Sequence, residues 1–77
     1  ETQINYLLPR ACQVKLTIYN VWGQTVRVLY DGYQEAGNQT LIWDGRSKDG
    51  TVLSSGVYFY RLVAGDFTET KKMSFMK

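Results

Sequence analysis

Apolar and polar side chains alternate along almost the whole chain, and this two-residue period is the feature that most limits its fold. The clearest runs each place their apolar side chains on one side: Ile4, Tyr6 and Leu8, then Val14, Leu16 and Ile18. No stretch of ten or more residues has the apolar spacing of a helix. A period of two is typical of strands with one buried face. The sequence therefore predicts an all-β protein.

Turn residues separate these runs. Asn20-Val21-Trp22-Gly23 has Asn at the first position and Gly at the fourth, which is typical of a type I reversal. The segments on either side should therefore form a hairpin. In its return strand, residues 25–30, the alternation predicts that Val26 and Val28 face inward and that Arg27 faces outward.

Further strands are predicted in the second half of the chain. Leu41 and Trp43 share one face, and a short piece at residues 51–53 follows a polar, glycine-containing loop. The strongest strand, residues 57–64, is expected to point Tyr58, Tyr60 and Leu62 inward because Arg61 falls on the other face; the alternative is that Val57 and Phe59 face inward. Residues 67–76 form the closing strand. Six or seven strands at intervals of about 8–12 residues are typical of a small β-sandwich.

Length and charge narrow the function classes. The 77 residues allow one small domain, residues 1–77, and no apolar run approaches the ~20 residues of a membrane helix. The formal net charge is +2, and outside a lysine cluster near the end the basic residues are scattered among acids. A nucleic-acid binder usually has a basic stripe. We therefore expect neither a membrane-spanning protein nor a nucleic-acid partner.

Catalytic side chains are scarce. The chain has no histidine, the usual acid–base group near neutral pH, and its single cysteine, Cys12, has no base to activate it. Asp44 and Asp49 lie in one polar loop and are a weak candidate pair for calcium, although aspartate and glycine are also ordinary turn residues, and turn chemistry is the favoured interpretation. We predict no enzyme activity, no bound metal and no cofactor.

Aromatic residues offer a possible binding patch. Trp22 lies in the predicted turn, and with Tyr19, Tyr30 and Tyr33 it could form an apolar surface for a protein partner or a sugar. The alternative is that these side chains only supplement a thin core. Trp43 lies beside Leu41 on the inward side and is expected in the core.

From Thr2 to Lys77 the chain resembles the immunoglobulin-like (Ig-like) C-terminal sorting domain of the type IX (Por) secretion system, and it is similar to the Ig-like domain of the flagellar hook-capping protein. The segments that carry the resemblance are residues 4–9, 14–24, 36–37, 43–46, 49–50, 55–62 and 65–73. The resemblance implies an Ig-like β-sandwich of about seven antiparallel strands.

The resemblance to sorting domains also implies a function. It predicts a non-enzymatic C-terminal address of a longer exported bacterial protein, carried through the periplasm and across the outer membrane to the cell surface or medium. Its partners would be a secretion receptor or translocon and an N-terminal cargo domain. The residues carried over for recognition are Gly56, Tyr58, Lys71, Lys72 and Lys77. The alternative is an accessory assembly or carbohydrate-binding module beside a secreted enzyme.

Overall fold

Six β-strands make up the part of the chain that the computed structural model describes, residues 1–76. They are β1 (Thr2–Leu8), β2 (Cys12–Tyr19), β3 (Thr25–Gln34), β4 (Gly37–Trp43), β5 (Gly56–Ala64) and β6 (Phe67–Phe75). Within residues 1–76 there is no helix long and apolar enough to cross a membrane.

The strands form two antiparallel sheets. One sheet pairs β1 with β4, and the other has the order β3-β2-β5-β6. This arrangement confirms the all-β sandwich with antiparallel pairing. The short piece predicted at residues 51–53 contributes only one isolated bridge, between Arg46 and Val52, which leaves six strands rather than seven.

The core lies between the sheets and follows the predicted alternation. Tyr58, Tyr60 and Leu62 of β5 are buried, as expected. Trp43 of β4 has no exposed surface. Its ring centroid lies 5.0 Å from that of Tyr58 and 5.1 Å from that of Phe75, with the Tyr58 ring packed edge-on. Such edge-to-face geometry suits the charge distribution of aromatic rings.

The predicted orientation of the β3 side chains is wrong for Arg27 and Val28. Its register with β2 shifts twice, between Leu16 and Thr17 and again between Ile18 and Tyr19. Each bulge adds one residue to β3 and inverts the side to which the following residues point. Val28 consequently lies opposite Thr17 on the outer face and is exposed, whereas Arg27 lies opposite Ile18 and reaches Asp44 at 2.8 Å.

Candidate interaction surface

The turn between β2 and β3 is held by one side chain. The Oδ1 atom of Asn20 accepts hydrogen bonds from the backbone N–H groups of Trp22 and Gln24, both at 3.0 Å. Its Nδ2 donates to Oε1 of Gln24 at 2.8 Å. The Gly23 N–H donates to the Asn20 carbonyl at 3.0 Å, which closes the predicted reversal. Since asparagine side chains favour such local bonds, Asn20 fixes the turn conformation.

This turn presents two apolar side chains to solvent. Trp22 is 81% exposed and Val21 is 57% exposed. An aromatic side chain on a pre-ordered turn loses little conformational entropy when it is buried by a partner. Tryptophan is also enriched among the residues that dominate binding energy at protein interfaces. The turn therefore provides a preformed anchor for a protein contact.

The outer face of the four-stranded sheet continues this surface. The β-sheet register places Tyr19 of β2, Phe59 of β5 and Lys72 of β6 side by side in one row. Arg61 lies in the next row, with its guanidinium carbon 5.7 Å from the centroid of the Tyr19 ring. We call these residues, together with Val21 and Trp22 of the turn, the tip face. A depression of about 260 Å³ at its centre is lined by Tyr19, Phe59 and Arg61.

Sequence reasoning predicted only part of this surface. Trp22 and Tyr19 lie together in it. Tyr33 is 59% exposed but sits near the other end of β3, roughly 25 Å away at about 3.3 Å per residue. Tyr30 points to the core side opposite Leu16 and donates its hydroxyl to the Tyr33 carbonyl at 2.8 Å. The four aromatic residues therefore do not form one patch.

Phe59 and Arg61 were not predicted as surface residues of this kind. Both fall on the outward positions of the alternation in β5, so each was available as an exposed candidate. What the sequence lacks is the pairing of β5 with β2, which sets Phe59 directly beside Tyr19. The alternation in β5 therefore predicts that Phe59 and Arg61 face outward, but the register between β5 and β2 is needed to place them beside Tyr19.

Gly56 and Tyr58 occupy different environments. Tyr58 is buried, its ring contacts Trp43, and its hydroxyl donates to the Ser54 carbonyl at 2.8 Å. Gly56 is the exposed first residue of β5, and no atom lies near the position that a Cβ there would take. The structure therefore gives Tyr58 a packing role.

The lysines of β6 point to opposite faces. Lys72 lies beside Phe59 on the outer face, and Lys71 lies opposite Tyr60 on the core side of the strand. Lys71 is exposed there, with its Nζ 3.8 Å from Oε1 of Glu69. Lys77, predicted as the third basic recognition residue, lies outside the described residues. A charged side chain on the inner side of an edge strand opposes pairing with another chain.

The two aspartates of the polar loop act as hydrogen-bond acceptors. Asp44 Oδ1 accepts from the guanidinium of Arg27 at 2.8 Å and from the Arg46 N–H at 3.0 Å. Asp49 Oδ1 accepts from the Ser47 hydroxyl and from the Thr51 N–H. The Ser47 bond is the largest of the causes that lower the pKa of Asp49 to about 2. Within residues 1–76, no group of three or more His, Cys, Asp or Glu residues is placed to hold a metal ion.

A second apolar surface lies at the opposite end of the sandwich. There the end of β1 and the β5–β6 turn enclose a groove of about 490 Å³, which Leu7 and Phe67 border with exposed side chains. This groove contains no part of the tip face. It is the competing location for any apolar partner.

The comparisons with known proteins place this fold in a family. A family model described as the FlgD Ig-like domain matches residues 1–66. The chain belongs to the FlgD Ig-like domain family. Similar curated proteins include the basal-body rod modification protein FlgD of Salmonella typhimurium and that of Salmonella typhi, each 38% identical over 56 residues.

The matched stretch is 73% of this chain but only 24% of each relative, so the chain spans about a quarter of the length of those proteins. The family match ends at the β5–β6 turn, before the lysines of β6. No solved structure matches the chain significantly. Membership therefore concerns the domain formed by β1–β5.

These findings correct the functional expectation. The matching family is the flagellar one, so the predicted type IX sorting signal is wrong. The predicted route to the cell surface or medium is wrong for the same reason, because the relatives are named for the basal-body rod. The comparisons also give no support to an accessory or carbohydrate-binding module beside a secreted enzyme. The similarity to the Ig-like domain of the flagellar hook-capping protein is confirmed.

Proposed function

We propose that this chain is a non-enzymatic assembly module that contributes, through protein contacts, to flagellar assembly at the basal-body rod. The family match over residues 1–66 carries the proposal, since both relatives are named for modification of that rod. Because the matched stretch is 24% of each relative, we propose that the chain acts as one Ig-like module within a larger assembly protein.

The chemistry of the chain supports a contact role over a catalytic one. Histidine is absent, and Cys12 is the single cysteine. The exposed Trp22 on its ordered turn is the kind of side chain that binds a partner protein without reacting. An Ig-like sandwich by itself does not specify function, so the family match and the exposed surface are what argue for assembly.

A domain exchange tests the proposal. In Salmonella typhimurium FlgD, the matched 56-residue stretch is replaced by the corresponding stretch of this chain, and the chimera is expressed in a strain that lacks its own FlgD. The fraction of isolated basal bodies whose rod carries a hook is counted by electron microscopy, and swimming is scored in soft agar. We expect the chimera to restore both.

Two controls make the result specific. An unrelated Ig-like sandwich of equal length in the same position tests whether any spacer suffices, and immunoblotting establishes equal protein levels. Restoration by this chain but not by the unrelated sandwich supports the proposal. A chimera that is present at normal level without restoring hooks, or equal restoration by both domains, contradicts it.

A further inference from the structure

We propose that the tip face is the docking surface for an acidic protein segment that also carries an apolar side chain. This inference rests on the proposed assembly function and names the chemistry of the partner. It starts from the charges of the tip face, Arg61 and Lys72, which lie beside half-buried Tyr19 and Phe59.

Both cations lack an ionic partner within the described residues. The ion pairs of residues 1–76 are Arg27 with Asp44 and Lys71 with Glu69, so neither Arg61 nor Lys72 is neutralised. Their two rows across the sheet contain no carboxylate: Thr25, Tyr19, Phe59 and Lys72 in one, Val28, Thr17, Arg61 and Thr70 in the other. The nearest acid on this face, Asp31, lies in another row opposite Lys15.

Exposed apolar side chains lie close to these two cations. Trp22 is 81% exposed, and Val28 is 44% exposed beside Thr17 in the Arg61 row. A partner that buried Trp22 would bring its own surface over Arg61, where a carboxylate would find a positioned guanidinium. Aromatic and arginine side chains are enriched in the centres of interfaces, and complementary charge raises the rate of association. The combination favours an acidic protein surface with an apolar anchor site.

Nucleic acid is the competing partner class for a surface of aromatic and basic groups. Single-strand binders use a positively charged groove that tracks several nucleotides. Here the tip face has two cations, and Lys15, the next one on the sheet, lies opposite Asp31. The short extent of the charge therefore favours a protein.

Binding to purified structures tests the surface. Basal bodies isolated from a Salmonella typhimurium strain lacking FlgD are incubated with the 77-residue chain and sedimented, and the bound fraction gives an apparent Kd. Trp22→Ala is compared with Tyr33→Ala, an exposed aromatic outside the tip face. The double variant Arg61→Gln/Lys72→Gln is compared with Lys15→Gln/Lys48→Gln, which changes the net charge equally.

We expect Trp22→Ala to weaken binding on the order of tenfold or more, as truncation of a dominant interface residue does. The Arg61/Lys72 variant should weaken binding about tenfold and flatten its salt dependence, while both controls stay within about twofold of the unmodified chain. Circular dichroism and urea unfolding establish that each variant is folded.

Several results would overturn the inference. Equal losses in the two charge variants would show unspecific attraction, and a larger loss in Phe67→Ala would place the contact in the groove at the opposite end. Tighter binding to a thymidine oligonucleotide than to basal bodies, lost in the Arg61/Lys72 variant, would show a nucleic-acid surface. If the chain binds and the tip variants bind equally well, the inference fails while the proposed assembly function stands. If the chain does not bind, the inference fails, and if the chimera also restores no hooks, the proposed function fails with it.

Discussion

Replacing Gly45 by alanine is expected to destabilise the protein far more than the same change elsewhere in its loop. Gly45 is buried, with φ at +79°, and a Cβ built there would lie 1.9 Å from Cζ and 2.4 Å from Cε1 of Phe75. The left-handed backbone costs a non-glycine residue about 1–2 kcal/mol. Overpacking a well-packed core adds about 1–3 kcal/mol. The free energy of unfolding should therefore fall by roughly 2–5 kcal/mol.

Gly50 provides a matched control. It lies in the same loop with φ at +90°, and no atom lies within 4 Å of the Cβ position. Gly50→Ala should therefore cost only the backbone strain, about 1–2 kcal/mol. The excess in Gly45→Ala, about 1–3 kcal/mol, reports the collision with the Phe75 ring. That excess is large for a chain of this length, whose total stability should be about 4–12 kcal/mol.

The assay is urea unfolding followed by tryptophan fluorescence in a Trp22→Phe background, so that buried Trp43 is the only reporter. The free energies come from linear extrapolation to zero urea. A third variant, Phe75→Leu, shortens the side chain at the collision. Combined with Gly45→Ala, it should reduce the cost of the alanine by at least about 1 kcal/mol, as coupled neighbours do.

The packing argument is refuted if Gly45→Ala and Gly50→Ala cost the same. It is also refuted if Phe75→Leu leaves the cost of Gly45→Ala unchanged, because the ring would then not be what the new methyl meets.

Other substitutions test single contacts. Tyr58→Phe removes the hydrogen bond to the Ser54 carbonyl and should cost about 0.5–1.5 kcal/mol in urea unfolding. Asn20→Ala removes the side-chain bonds of the turn and should cost about 1–2 kcal/mol, with faster amide exchange at Trp22. Asp49→Asn should lower the urea midpoint above about pH 4 and have little effect near pH 2, because the pKa of Asp49 is depressed to about 2.

The sign of the Asp49 prediction follows from its ordinary pKa of 3.8. A carboxyl with a lowered pKa in the folded state stabilises it above the unfolded value and loses that contribution as pH falls through the folded one. A midpoint difference that grows towards low pH would contradict it. If Tyr58→Phe is as stable as the unmodified chain, the hydrogen bond to the Ser54 carbonyl does not support the fold. If amide exchange at Trp22 is unchanged in Asn20→Ala, the Asn20 side-chain bonds do not hold the turn.

The sequence predicted the inner strands well because one physical demand acts on them. A strand in the middle of a sheet that buries one face has an apolar side chain at every second position: Val14, Leu16 and Ile18 are buried in β2, and Tyr58, Tyr60 and Leu62 in β5. The Asn20–Gly23 reversal was equally predictable from the sequence, since its hydrogen bonds join residues only a few positions apart. Local chemistry and a single buried face were sufficient for both features.

Which residues of β3 face inward could not be predicted from the sequence in the same way. Val26, Arg27 and Val28 alternate as residues of a regular strand would, yet two bulges change which of them points inward. A bulge is an extra residue in one strand relative to the partner strand, so its position depends on how the two strands are paired. The alternation of side chains in one strand therefore does not predict where a bulge lies. The ion pair of Arg27 with Asp44 was missed for the same reason.

The functional resemblance failed at a different level. Several of the positions that carry it are core and turn positions: the ring centroids of Trp43 and Tyr58 lie 5.0 Å apart, and the Phe75 ring packs on Gly45. Any Ig-like sandwich with this core needs such residues, whatever it binds, because packing and backbone geometry require them. They identify the fold and do not separate a sorting domain from a flagellar one. The residues that could separate them are exposed, such as Trp22 and Arg61, and their arrangement depends on the pairing of strands distant in sequence.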